Sequence, residues 1–213
     1  MNVAADPDNA ASFAEAQTRA WVDRAVIGLN LCPFAKAPQV KGLVRYVVSS
    51  ASEPEALLAV LCDELRLLAE ADPARVETTL IIHPGVLTDF EDYNDFVGAA
   101  EAAVAMLGYD GLLQVASFHP GYQFAGTDAG DVTNASNRSP YPTLHLLRED
   151  SISRAVAAFP DASEIFETNM ATLEALGAAG WAELQAQCRR DAQRDGEAEA
   201  ADRPESSKGL PGR

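Results

Sequence analysis

The chain predicts an α/β fold, a short and mostly parallel sheet of three to four strands with flanking helices, C-terminal helices and a disordered acidic tail. Three observations carry this expectation. β-Branched, apolar runs recur at residues 43–49, 78–83 and 112–118. Between them lie segments with apolar residues at helical spacing, opened by hydroxyl and carboxylate capping signatures. The resulting strand–helix–strand–helix–strand order supplies the crossovers that parallel neighbours require.

Residues 1–11 read as a flexible lead-in. Ser12, Phe13, Ala14 and Glu15 form a capping box, with a hydroxyl and a carboxylate placed to satisfy the free amides of a helix start. That helix runs to Gly28 and offers Phe13, Trp21, Val26 and Ile27 for burial. The first strand, LVRYVVS, follows Gly42. Ser52 to Glu55 repeat the capping signature, with Pro54 in the first turn, where its missing amide costs nothing. The second strand, TTLIIH, ends at His83-Pro84. Thr88 to Glu91 open a helix that reaches Leu107 before Gly108, and the third strand, LLQVASF, ends at His119-Pro120. A long polar loop occupies 119–140, and a fourth strand is expected over 143–147. Helices are expected over 151–159 and 162–176, the second capped by Asp161 to Glu164 and ended by Gly177. Residues 12–177 thus form a single α/β domain, 178–194 an additional helix, and 195–213, charged and poor in large apolar groups, a disordered tail.

A formal charge of −16 argues against nucleic acid and anionic membranes as partners, since both need a basic surface. No apolar run approaches the roughly 20 residues of a membrane helix. The opening MNVAADPDNAAS has neither the basic start nor the apolar stretch of a secretory signal. Cys32, Cys62 and Cys188 are an odd, widely spaced set without a CxxC pair, which disfavours a disulfide framework or structural zinc module. A cytoplasmic protein is expected, and the sequence does not set its oligomeric state.

The three histidines all fall in the central half of the chain. In open parallel sheets ligands sit beyond the carboxyl ends of the strands, where His83 and His119 are expected. Each reads either as a structural histidine at a strand end or as an acid/base group. His145 alternates with Leu144 and Leu146 and so faces away from the apolar side of its strand, to join the other two or be solvated. Three imidazoles would hold zinc or iron with a position left for water, although no HExxH spacing is present. Cys32, in GLNLCPFAK, is a core thiol, or a nucleophile if Pro33 opens a helix whose dipole favours thiolate. Cys62 and Cys188 read as packing residues. In the loop, Tyr122 and Phe124 are aromatic anchors, while Asn134 and Asn137 serve turns or a ligand. Arg138 and Arg148 have forked donors suited to an anion, and Arg45 adds charge near Cys32 together with Lys36 and Lys41. GxxxxGK[ST], GxGxxG and GxSxG motifs are absent.

The strings TRAWVDRAVIGLNLCPFAK, LIIHPGVLTDFEDYNDF, LLQVASFHPGYQFAGT and TNASNRSPYPTLHLLREDSISRA resemble a bacterial and plastid family, domain of unknown function 1415, across about residues 17–175. The resemblance implies one domain with a polar site built from these segments, and it carries no catalytic role. The expected function is a metal- or thiol-assisted hydrolase or group-transfer enzyme acting on a small anionic molecule. Two other readings remain open: a noncatalytic sensor or carrier of an anionic metabolite, and an interaction protein with structural histidines.

Overall fold

Alternation along four strands gives the sheet two apolar faces, and each is covered by helices. The computed structural model describes residues 7–157 and 164–202. Helix α1 spans Pro7–Trp21 and passes into a wider π-helical turn, Val22–Ile27. Gly28 closes this turn, its amide N–H donating a hydrogen bond to the Asp23 carbonyl at 3.0 Å. A Cβ at Gly28 would lie 2.2 Å from the Arg24 carbonyl oxygen, so no other residue fits unless the backbone shifts. After a short helix α2, Lys36–Val40, come β1 (Val44–Val48), α3 (Pro54–Glu70), β2 (Thr78–Ile82), α4 (Phe90–Met106) and β3 (Leu113–Phe118). A 3₁₀ turn at Val132–Asn137 orders the long loop, and β4 (Thr143–Arg148), α5 (Glu149–Ala157) and α6 (Glu164–Asp202) complete the described chain.

The strand order is β1-β2-β4-β3. β1 pairs with β2 in parallel, whereas β4 pairs antiparallel with both β2 and β3. The expectation of a mostly parallel sheet is therefore corrected: one pairing is parallel and two are antiparallel. The reason lies in the 119–142 connection. It contains no crossover helix, so the chain returns in the opposite direction and β4 enters beside β3, in the gap between β3 and β2. β1, β2 and β3 nevertheless all point the same way, because β2 and β3 are each antiparallel to the strand between them.

One face of the sheet packs on α3 and α4. Leu57, Leu61, Leu65 and Leu68 recur on one side of α3, all fully buried, and meet Ile81, Leu144 and Leu146 from the strands. A fully buried leucine side chain contributes about 1.5–3 kcal/mol, so this row anchors the layer. The other face presents Tyr46, Leu80 and Ile82 to α1 and α6, where Trp21, Leu173 and Trp181 are buried. The result is three layers with two cores.

The ends of the helices differ from the expected ones. α1 begins at Pro7, so Ser12 lies inside it. α3 begins at Pro54 behind Glu53 with no side-chain cap, and Ser52 plays no part. Asp89 rather than Thr88 caps α4, its carboxylate accepting from the amides of Glu91 and Asp92. The expected cap at 161–163 lies outside the described residues, as do residues 1–6 of the expected flexible lead-in 1–11, whose residues 7–11 are instead helical as the start of α1. Gly177, at φ 68°, interrupts α6 where a helix end is expected, yet the chain resumes helix and continues to Asp202. The second limb buries Trp181, Cys188 and Ala192, and its Asp191 pairs with Arg24, so it belongs to the packed unit. Helix also occupies 195–202, where the tail is expected to be structureless, and 203–213 lie outside the described residues. Among the described residues no helix is long and apolar enough to cross a membrane.

Candidate functional site

The shared direction of β2 and β3 carries His83 and His119 to one rim, on the α3/α4 side of the sheet. Tyr93 of α4 stands between them, with ring centroids 5.7 Å from His83 and 5.0 Å from His119. Backbone bonds fix both positions: the His83 amide donates to Pro142 and the His119 amide to Asn137. The Gly121 amide donates to His119 Nδ1, so Nε2 carries the proton and donates to the Leu87 carbonyl at 3.3 Å. Leu87 turns that carbonyl inward at φ 55°, a left-handed conformation that a bulky residue adopts only when its surroundings hold it there. His83 Nδ1 donates to the Val86 carbonyl at 3.0 Å, and its buried Nε2 has no partner among the described residues. His83 is fully buried and His119 is 2% exposed. Burial pushes the His83 pKa down to about 4 against a weaker opposing pull from the Val86 carbonyl, and burial lowers that of His119 too. Both rings are thus neutral near pH 7. In this state the pair packs around Tyr93.

The loop residues are occupied within the protein. Fully buried Asn134 accepts from the Phe124 amide and the Thr127 hydroxyl and donates to the Asp128 carbonyl, all at 2.9 Å. Asn137 donates to the Ser117 carbonyl. Arg138 donates to the carbonyls of Tyr122 and Ala129, at 3.0 and 2.7 Å. Tyr122 packs between Phe90 and Phe124. Arg45 forms a bidentate pair with Glu64 of α3, at 2.8 and 2.9 Å, on the sheet face opposite the cavity that contains Cys32. Arg148 donates from Nη2 to the carbonyls of Leu68, Ala71 and Val76, tying the end of α3 to β4.

His145 lies on the other face of the sheet from His83 and His119. It borders a cavity of about 660 Å³ between the strands, the π-helical turn, α2 and α5, a volume typical of small-molecule sites. Cys32 borders the same cavity, with Trp21, Phe34 and Phe118. Thr78 spends its one hydroxyl proton on the Leu146 carbonyl, at 2.6 Å, and therefore accepts from His145 Nε2–H, at 2.7 Å. This bond sets the tautomer and leaves Nδ1 with a lone pair. Desolvation pushes the His145 pKa down to about 4. Burial also pushes the Cys32 thiol up, outweighing the backbone amides of Phe34 and Ala35 that face the sulfur and pull it down. The resting pair is thus a neutral thiol and a neutral imidazole.

Of the expected site, the structure brings together His83 with His119, and separately Cys32 with His145, while Arg148 borders the latter's cavity with its guanidinium turned to the carbonyls at the end of α3. The sheet divides the two groups. Among the described residues no three His, Cys, Asp or Glu side chains gather as a metal site, and His145 does not join the other two histidines. Sequence reasoning did not find Tyr93, Thr78, Trp21 as a cavity wall, or Arg154. Strand alternation does place Thr78 and His145 on one face, but only with the antiparallel register known. As expected, Cys188 is buried, and Cys62 packs partly buried against the α3/α4 core.

Fold and cavity together define a three-layer α/β protein with a small-molecule-sized cavity on the sheet face beneath the π-helical turn. The chain belongs to the family described as protein of unknown function (DUF1415), whose model matches residues 13–183. Comparison with curated proteins and with solved structures returns no match.

Proposed function

We infer that this protein is a thiol-assisted hydrolase or group-transfer enzyme for a small anionic molecule, with its site in the 660 Å³ cavity and not at the histidine rim. The observation that carries this reading is the placement of Cys32 and His145 on one ligand-sized cavity, with the imidazole held in a single neutral tautomer. A neutral imidazole is in the protonation state a general base needs, and a neutral thiol is in the state it acts upon. In an acyl transfer, His145 removes the thiol proton as Sγ attacks the acyl carbon. The carbon–sulfur bond forms, the bond to the leaving group breaks, and the leaving group takes up that proton. Water or an acceptor then cleaves the thioester and regenerates the thiol. The amides of Phe34 and Ala35 stabilise the departing and returning sulfur anion. His83 and His119 carry no step in this scheme, and neither do zinc or iron.

The test is intact-protein mass spectrometry after exposure to an activated anionic ester, p-nitrophenyl hemisuccinate. One succinyl group should appear on Cys32, be lost in Cys32→Ser, and form about tenfold or more slowly in His145→Gln, within the usual range for a general base. Acylation distributed over surface lysines with Cys32 untouched overturns the enzymatic reading. The raised Cys32 pKa specifically favours a second reading, a noncatalytic carrier of the same anion. Retained binding without any Cys32 adduct would select it.

A further inference from the structure

The cavity has a chemical polarity along β4. Its register sets Phe118 beside Thr143 at one end of the strand pair and Arg148 beside Leu113 at the other, five residue steps or roughly 17 Å apart. Trp21 and Phe118, ring centroids 5.4 Å apart, wall the first end. At the second end, Lys41 leads into β1, Glu77 precedes β2, Arg148 closes β4 and Arg154 lies on α5. Glu77 acts on Arg148, which is also held by three carbonyls. Lys41 and Arg154 are exposed, and among the described residues neither enters an ion pair. Arg154 donates only to the Ser151 hydroxyl among the described side chains, at 3.0 Å, so two cations without a described carboxylate partner stand at one cavity mouth in a chain of net charge −16.

Between the two ends the wall is mostly apolar, with Val22, Val26, Leu80, Ala116 and Leu147, and carries His145 and Gln114 as polar groups.

We propose that the cavity takes an elongated organic acid, its carboxylate at the Lys41–Arg154 mouth and its apolar body along β4 toward Trp21. This rests on the cavity being the ligand site and adds the class and orientation of the ligand. The anion is drawn to the end where Lys41 and Arg154 stand, while the body replaces water on the apolar wall. An acid of this kind that carries an acyl bond along its body would present that bond to the part of the cavity lined by Cys32.

Trp21 and Trp181 are the two tryptophans of the chain, so Trp181→Phe leaves Trp21 as the only indole reporter. The experiment titrates this variant with decanoate, 1-decanol and acetate and follows Trp21 fluorescence. Decanoate should bind about tenfold or more tightly than decanol, the order of one well-placed charge contact. Lys41→Gln with Arg154→Gln, both at exposed positions, should erase that advantage and leave decanol binding unchanged. Equal affinities for decanoate and decanol overturn the carboxylate end. Acetate binding as tightly as decanoate overturns the apolar body. If none of the three perturbs Trp21, the cavity reading itself fails, an outcome distinct from the other two.

Discussion

At the scale of single residues, the same side chain type serves opposite purposes on the two faces of the sheet. His83 is sealed beside Tyr93, and its Nδ1 donates to Val86 while Nε2 has no partner among the described residues. His145 has one nitrogen on Thr78 and the other free for the cavity. Burial of His83 has a consequence for acid stability. Its folded pKa of about 4 lies below the unfolded value of 6.5, so below pH 6.5 the unfolded chain binds the proton more readily. The stabilisation is complete above the unfolded pKa and lost as pH falls toward the folded one, on the order of 3 kcal/mol in total. Urea unfolding at about pH 7 and about pH 4.5 should show most of that loss in the native chain and a correspondingly smaller loss in His83→Phe. Equal losses in both would mean that the imidazole is protonated in place without cost.

At the scale of elements, the α3 row holds the layer that positions both β2 and β4. Leu61 is fully buried against that core, and Leu61→Ala should cost about 2–5 kcal/mol by chemical denaturation, the range for a cavity that the surroundings fill incompletely. A loss below ~1 kcal/mol would place Leu61 outside the core. Most of these elements were legible from periodicity: α3, α4 and the four strands lie within a few residues of their expected bounds. Helix starts were less legible, because Asp89 competes with Thr88 for one cap, and Pro54 begins α3 without a side-chain cap from Ser52. Strand pairing was the least legible, since insertion of β4 depends on the path of the 119–142 connection, which no local pattern encodes. Asn134, Asn137 and Arg138 show the same limit. Their residue types suit a ligand and suit a loop equally, and only the carbonyls and amides around them reveal that they order the loop.

At the scale of the whole molecule, the sheet acts as a partition. One side is a dry core with the paired histidines at its rim, and the other combines packing by α1 and α6 with an open cavity. His83 and His119 reach a common rim, as the strand-end pattern predicts, yet the ligand-sized space lies behind the sheet, where an alternating residue of β4 meets the π-helical turn. The central claim is that Cys32 lies in the ligand's space. Its most direct measurement is the iodoacetamide alkylation rate of Cys32, followed by peptide mass spectrometry with and without saturating decanoate. Occupancy of the cavity should slow alkylation about tenfold or more, as expected when a bound ligand covers most of the site surface. An unchanged Cys32 rate under saturating decanoate would contradict the account.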